Sequence, residues 1–233
     1  MEHRGADRAV DALGAVTSAA GLAAKLLSEE IIGGQLKPGR KLILRELRAR
    51  TGLGPTPIRE GLTRLTSRGL VVIVDQKGFF VPPLDGETLD DYFRVRLLVE
   101  NEALRSSVVN GDMMWEERVT AALSRLERFK PSARENAANA IRTLSTLHKD
   151  LAMELVSKCA SRRLQSLLDV FHDQQFLYCN NLVRQKGRVA SFAALLDTEG
   201  LLAIVELALA RDAGAACEKL AEHLHWMRQR LAF

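Results

Sequence analysis

Arg59 lies three residues after Thr56 and four before Thr63, with Arg64 next to Thr63. A guanidinium is a planar fork of N–H donors that matches the O6/N7 edge of guanine or the oxygens of a phosphate. Threonine adds a hydroxyl and a methyl to such a surface. Arg45 stands upstream of this group and Lys77-Gly78 downstream, where a glycine lets the backbone approach a polyanion closely. The pattern suits recognition of a nucleic acid and holds no catalytic constellation. Taken one at a time, the same arginines would equally make an ordinary solvated face.

Charge distribution favours the first reading. The chain of 233 residues carries a net charge of only +4. From Lys37 to Pro83, however, ten Lys or Arg face three Asp or Glu, whereas residues 84–233 are nearly balanced, with 20 against 21. A basic segment beside a neutral one is what phosphate binding requires, because affinity there comes from releasing condensed counterions. The three cysteines, Cys159, Cys179 and Cys217, show no CxxC spacing, so neither a zinc ribbon nor a disulfide framework is expected. The N-terminus carries charges throughout, and no apolar stretch is long enough to span a bilayer. A reduced cytoplasmic protein is the expectation, with no membrane partner.

The elements that must position these residues can be read from spacing. Residues 1–16 are expected to be a flexible tail. Thr17 or Ser18 can cap a helix running to about Ile32, with Leu22, Leu26, Leu27 and Ile31 as its apolar set. A short helix over Leu44–Thr51 ends at Gly52. A third starts near Gly54–Thr56, with Pro55 and Pro57 in its first turn, where a missing N–H does no harm. Ile58, Leu62 and Leu65 form its inward stripe, which turns Arg59, Thr63 and Arg64 outward. Val71–Val74 and Phe79–Val81 read as two strands around an Asp75–Gly78 turn. Pro82-Pro83 closes this unit. From residue 84 to 233 the pattern is helical, in about six helices over 86–110, 113–129, 133–157, 161–186, 188–211 and 212–232. Asp112, Pro131, Gly187 and Gly214 mark the breaks.

The expected fold is therefore mainly α. A winged helix-turn-helix over 17–83 is followed by an all-α helical bundle over 84–233. In such a reader the second helix lies in the major groove. Arg45, Thr56, Arg59, Thr63, Arg64, Lys77 and Gly78 are the candidate contacts.

The run Gly34–Gly39, Leu47, Thr56-Pro57-Ile58-Arg59-Glu60, Leu65, Gly69-Leu70-Val71 and Lys77–Val81 closely resembles the GntR family of bacterial transcriptional regulators. Tyr92–Glu100 resembles the opening of the FCD effector domain of its FadR-type subfamily. The resemblance implies a homodimer on a palindromic double-stranded operator, more often a repressor, and a helical domain that takes a small-molecule effector. Two departures concern the reader. Gly54-Pro55 stand where the family has serine and a base-contacting arginine, and Gly61 stands where it favours alanine.

The family also implies a divalent metal held by one Asp and three His. By alignment those positions here are Leu144, His148, Gly200 and His223. Leucine and glycine offer no donor atom, so no metal and no cofactor are expected. Leu144, His148, Gly200 and His223 then become candidate effector contacts in a more apolar, roomier pocket, suited to an apolar or amphipathic effector. Arg96 is the candidate for an anionic group, unless it pairs with Glu100 four residues on. An Asp169–His172 pair offers a second route to a metal. Two competing expectations remain: a DNA binder without any effector, and a helical metal-dependent enzyme built on His148, His172 and His223.

Overall fold

The computed structural model describes residues 18–130, 137–186 and 198–231. The expected tail over 1–16 and the expected helical stretches 133–136 and 188–197 lie outside the described residues. The chain divides after Pro83 into two compact units.

The first unit contains α1 (Ala19–Ile32), α2 (Leu44–Thr51), α3 (Pro55–Thr66), β1 (Val72–Val74) and β2 (Gly78–Phe80). Ser18 caps α1, its hydroxyl oxygen accepting from the Gly21 N–H at 3.0 Å. The buried face of α1 is Ala20, Ala23, Leu27 and Ile31, and Leu22 is 43% exposed. This differs from the leucine-centred stripe expected from spacing, and the reason lies in α3. Gly61 is buried on α3, and a Cβ added there would stand 2.9 Å from the Ala23 Cβ and 2.9 Å from the Ala24 nitrogen. Helices that approach so closely need small residues on both sides, so α1 turns its alanines inward.

α3 buries Ile58, Leu62 and Leu65, each at most 2% exposed. Removing such a side chain from water stabilises by about 1.5–3 kcal/mol. Gly52 joins α2 to α3 in the left-handed region, φ 70°, which a glycine enters without a Cβ penalty. The strands pair antiparallel, Val72 opposite Phe80 and Val74 opposite Gly78. A third backbone segment adds to this wing. The Leu42 N–H donates to the Phe79 carbonyl (2.8 Å), and the Val81 N–H donates to the Arg40 carbonyl (3.0 Å). Sequence periodicity assigns Arg40–Leu42 to a connection, because such pairing uses backbone groups and leaves no alternation of side chains.

The second unit contains α4 (Gly86–Asn110), α5 (Met113–Arg128), α6 (Ala137–Leu155), α7 (Arg162–Lys186), α8 (Thr198–Leu209) and α9 (Ala213–Leu231). Asp85, Asp112 and Asp212 cap α4, α5 and α9, each carboxylate accepting from a backbone N–H at 2.8–2.9 Å. α4 packs on α7 and α9, α5 on α6, and α8 on α9. The α8–α9 break falls at Arg211-Asp212, with Arg211 at φ 64°, and Gly214 sits inside α9. Arg211 donates to the Val108 carbonyl (2.8 Å), and its guanidinium lies 5.0 Å from the Trp115 ring centroid. Trp115 is fully buried and donates to the Glu154 carbonyl at 3.0 Å. These contacts hold the α8–α9 corner and the end of α6 against the start of α5.

Candidate nucleic-acid interface and effector cavity

In the first unit, Arg45, Thr56, Arg59, Thr63, Arg64, Lys77 and Gly78 are all exposed. α3 places Thr56, Arg59, Thr63 and Arg64 opposite its buried stripe. Gly78 takes φ 96° at the wing tip. The basic residues separate into two classes. Arg40 pairs with Glu46 at 2.9 Å, and Arg50 pairs with Glu30 at 3.3 Å. Among the described residues, Arg45, Arg59, Arg64 and Lys77 have no ion-pair partner. Unpaired, exposed cations are the ones that can replace counterions on a phosphate chain. The Thr63 hydroxyl donates to the Arg59 carbonyl at 3.0 Å, so its proton is engaged within the helix.

In the second unit, Arg96, Glu100, His148, His172, Gln175 and His223 converge from α4, α6, α7 and α9 on one small cavity. Leu104, Leu155, Leu201, Ile204 and Leu220 are among its apolar walls. Leu144 and Gly200 are half-buried and are not among the lining residues. The cavity measures about 20 Å³, room for one water molecule. The expected roomier pocket is therefore not what this conformation shows. Leucines, isoleucine and the paired side chains fill the space between the helices.

Tyr92, Arg96 and Glu100 fall at i, i+4 and i+8 on α4, hence on one face. Arg96 Nε donates to Glu100 Oε2 at 2.6 Å, and Nη1 donates to the Tyr92 hydroxyl at 3.2 Å and to Gln175 Oε1. Tyr92 in turn donates to the Phe171 carbonyl at 2.8 Å. The Arg96–Glu100 ion pair is thus formed and buried, with both residues at most 6% exposed. Burial, the largest single influence, would raise the Glu100 carboxyl, but the Arg96 guanidinium together with His172 and His223 holds the group below the usual carboxylate range. Burial, reinforced by Arg96, pushes the His172 imidazole down to about 4, although Glu100 opposes the shift from 4.0 Å. At neutral pH His172 is uncharged, so the ion pair is the cavity's main charge.

The residues present do not fit the family's metal. Two of the four aligned positions lack a donor atom. Asp169 is paired with Lys149 at 2.6 Å, and Lys149 also bonds Asp173 at 2.6 Å. Among the described residues no group of three or more His, Cys, Asp or Glu is arranged to hold a metal ion. Spacing offered Glu100 as the i+4 partner of Arg96 and grouped His172 with His148 and His223, and all of them line the cavity. Nothing in sequence marks Gln175, which meets Arg96 only through the packing of α7 on α4.

Comparison with known families decides the class. Residues 20–81 match the family model described as bacterial regulatory proteins, gntR family, and residues 91–225 match the FCD domain. The chain belongs to the GntR family. It is a DNA-binding transcriptional regulator with an FCD effector-binding domain, and its relatives are regulators rather than enzymes. One relative is the HTH-type transcriptional regulator BphR of Paraburkholderia xenovorans. It is 31% identical over 198 residues, covering 85% of this chain and 79% of that one. The HTH-type transcriptional repressor GlaR of Escherichia coli is 28% identical, over 85% of this chain and 89% of its own. Among solved structures, E. coli McbR/YncC superposes with a TM-score of 0.71 at 20% identity, over 92% of this chain and 97% of that one. A GntR-type regulator from Rhodococcus sp. RHA1 gives 0.65 at 20% identity, over 89% and 94%. These two likenesses bear on the fold alone. Among the described residues no helix of this regulator is long and apolar enough to cross a membrane.

Proposed function

We propose that this regulator is a cytoplasmic homodimeric repressor that holds a palindromic operator through two copies of α3 and releases it when an amphipathic small molecule enters the α4–α9 bundle. The observation that carries this reading is the cavity: a buried polar floor of Arg96, Glu100 and Gln175 faces apolar walls inside the FCD unit. A ligand with a hydrogen-bonding head and an apolar body matches that division. Ligand pockets ordinarily span about 300–1,000 Å³, far above about 20 Å³. Entry of a ligand must therefore part the helices. α4, which carries Arg96 and Glu100, starts at Gly86, three residues after Pro83 ends the reader. Displacing it shifts the population of reader arrangements that fit both half-sites.

The homodimer surface is assigned to the outer face of α4. Leu98 is 70% exposed and Val109 is 72% exposed, with exposed Glu102 and Arg105 between them. Two antiparallel copies related by a two-fold axis set Leu98 against the partner copy's Val109 and Glu102 against its Arg105. This is self-complementary in both shape and charge.

Footprinting with the full chain at moderate salt tests the reading. The expected result is a protected inverted repeat that disappears when an amphipathic carboxylate able to raise the melting temperature is added. Protection that no such compound relieves supports the alternative, a constitutive DNA binder.

A further inference from the structure

Pro55, Arg59 and Thr63 stand at i, i+4 and i+8 of α3, all exposed on one face. Neither flanking residue offers a donor to a base edge. Proline has no N–H, and the Thr63 proton is engaged by the Arg59 carbonyl at 3.0 Å. What remains on either side of the guanidinium is a pyrrolidine ring and a threonine methyl. Pro55 and Pro57 also remove the backbone donors of the first and third helical positions. The first turn therefore keeps only Thr56 as a donor, and beside Arg59 it presents the exposed Pro55 ring.

We infer that this face reads one guanine flanked on both sides by thymine, with Arg59 on the guanine and the Pro55 ring and Thr63 methyl on the thymine 5-methyl groups. The inference rests on α3 being the base-reading element proposed above. In the major groove the 5-methyl of thymine is the one apolar group a base pair presents, and apolar side chains recognise it. Four residues of helix advance about 6 Å, close to two base-pair steps at about 3.4 Å each. The thymines therefore fall within about two base pairs of the guanine. Pro55 and Thr63 become specificity residues that discriminate by methyl contact.

Selection of random duplexes by the full chain tests this, followed by replacement of each enriched flanking thymine with uracil, which removes only the methyl. The expected result is thymine on both sides of a guanine, with affinity falling about three- to fivefold per uracil, the value of one buried carbon. Thr63→Val, which keeps the methyl, retains the thymine-over-uracil ratio, and Thr63→Ser, which keeps only the hydroxyl, abolishes it at that position. Pro55→Arg moves the preference at the other position from thymine to guanine. Equal binding of thymine and uracil duplexes, or enrichment of another base at those positions, overturns the inference while leaving α3 as a reader. Failure to enrich any sequence overturns both.

Discussion

Gly61 of α3 lies so close to Ala23 of α1 that a Cβ at position 61 would stand 2.9 Å from the Ala23 Cβ, with the Ala24 nitrogen at the same distance. The close approach sets the depth at which α3 is held and so how far Arg59 projects. Helix propensity alone favours alanine over glycine by about 1 kcal/mol. Here packing must win, because a backbone atom cannot move aside as a flexible side chain can. Gly61→Ala is expected to lower unfolding stability by about 1–3 kcal/mol, read as a fall in the urea midpoint. A stabilised variant would mean that α1 and α3 are further apart.

The Arg96–Glu100 pair makes a second prediction. Removing one member leaves a buried charge without compensation, which destabilises by about 3–5 kcal/mol. Arg96→Met and Glu100→Leu should each show losses of that order in urea unfolding. The double variant should recover most of the loss, since replacing a whole buried pair by apolar groups is often near neutral. Additive losses would contradict a direct pairing.

His172 gives stability a pH dependence. The groups around it are Arg96, Glu100, Lys149 and Asp173. Its folded value of about 4 lies below the unfolded value of about 6.5. Between the two, the unfolded chain binds more protons, so the contribution is full above about pH 6.5 and is lost as pH falls toward 4. The loss attributable to this group is about 3 kcal/mol at most. The measurement is the difference in unfolding free energy between the regulator and His172→Gln at pH 7.5 and at pH 4.5. The difference should shrink at the lower pH, and an unchanged difference would place His172 in water.

Leu98→Glu tests the assigned dimer surface. A carboxylate placed opposite the apolar Val109 of a second copy disfavours association. Sedimentation should show the variant as a monomer at concentrations where the parent is a dimer. Since Leu98 is 70% exposed within one chain, the chain's own fold should be unaffected. A dimer that persists would move the interface elsewhere.

How much of this was legible in the sequence depends on which residues carry the information. The α3 register was readable because Ile58, Leu62 and Leu65 repeat at helical spacing and every one is buried. The α1 face was misjudged at Leu22 because the deciding residue, Gly61, acts through the absence of a side chain on another helix. The wing's third segment at Arg40–Leu42 pairs through backbone atoms, which no residue type announces. In the helical unit Arg96 and Glu100 were visible as an i, i+4 pair. Gln175 and His172 reach them only because α7 packs on α4, a long-range fact without a local signature. Of the four positions singled out by the family resemblance, His148 and His223 line the cavity and Leu144 and Gly200 do not. A place along the chain fixes a side chain's direction only once the helices are packed.

The most direct test of the central claim is the affinity of the full chain for its footprinted operator across a salt series, beside Arg59→Ala and Arg50→Ala. Arg59 is exposed on α3 and has no ion-pair partner among the described residues, and Arg50 is neutralised by Glu30 at 3.3 Å. The expectation is a linear fall of log K with log salt. Arg59→Ala should lose about 1–3 kcal/mol on the operator and little on scrambled DNA, with Arg50→Ala close to the parent on both. Equal losses on operator and scrambled duplexes for Arg59→Ala, or no loss on either, would contradict α3 as the element that reads sequence.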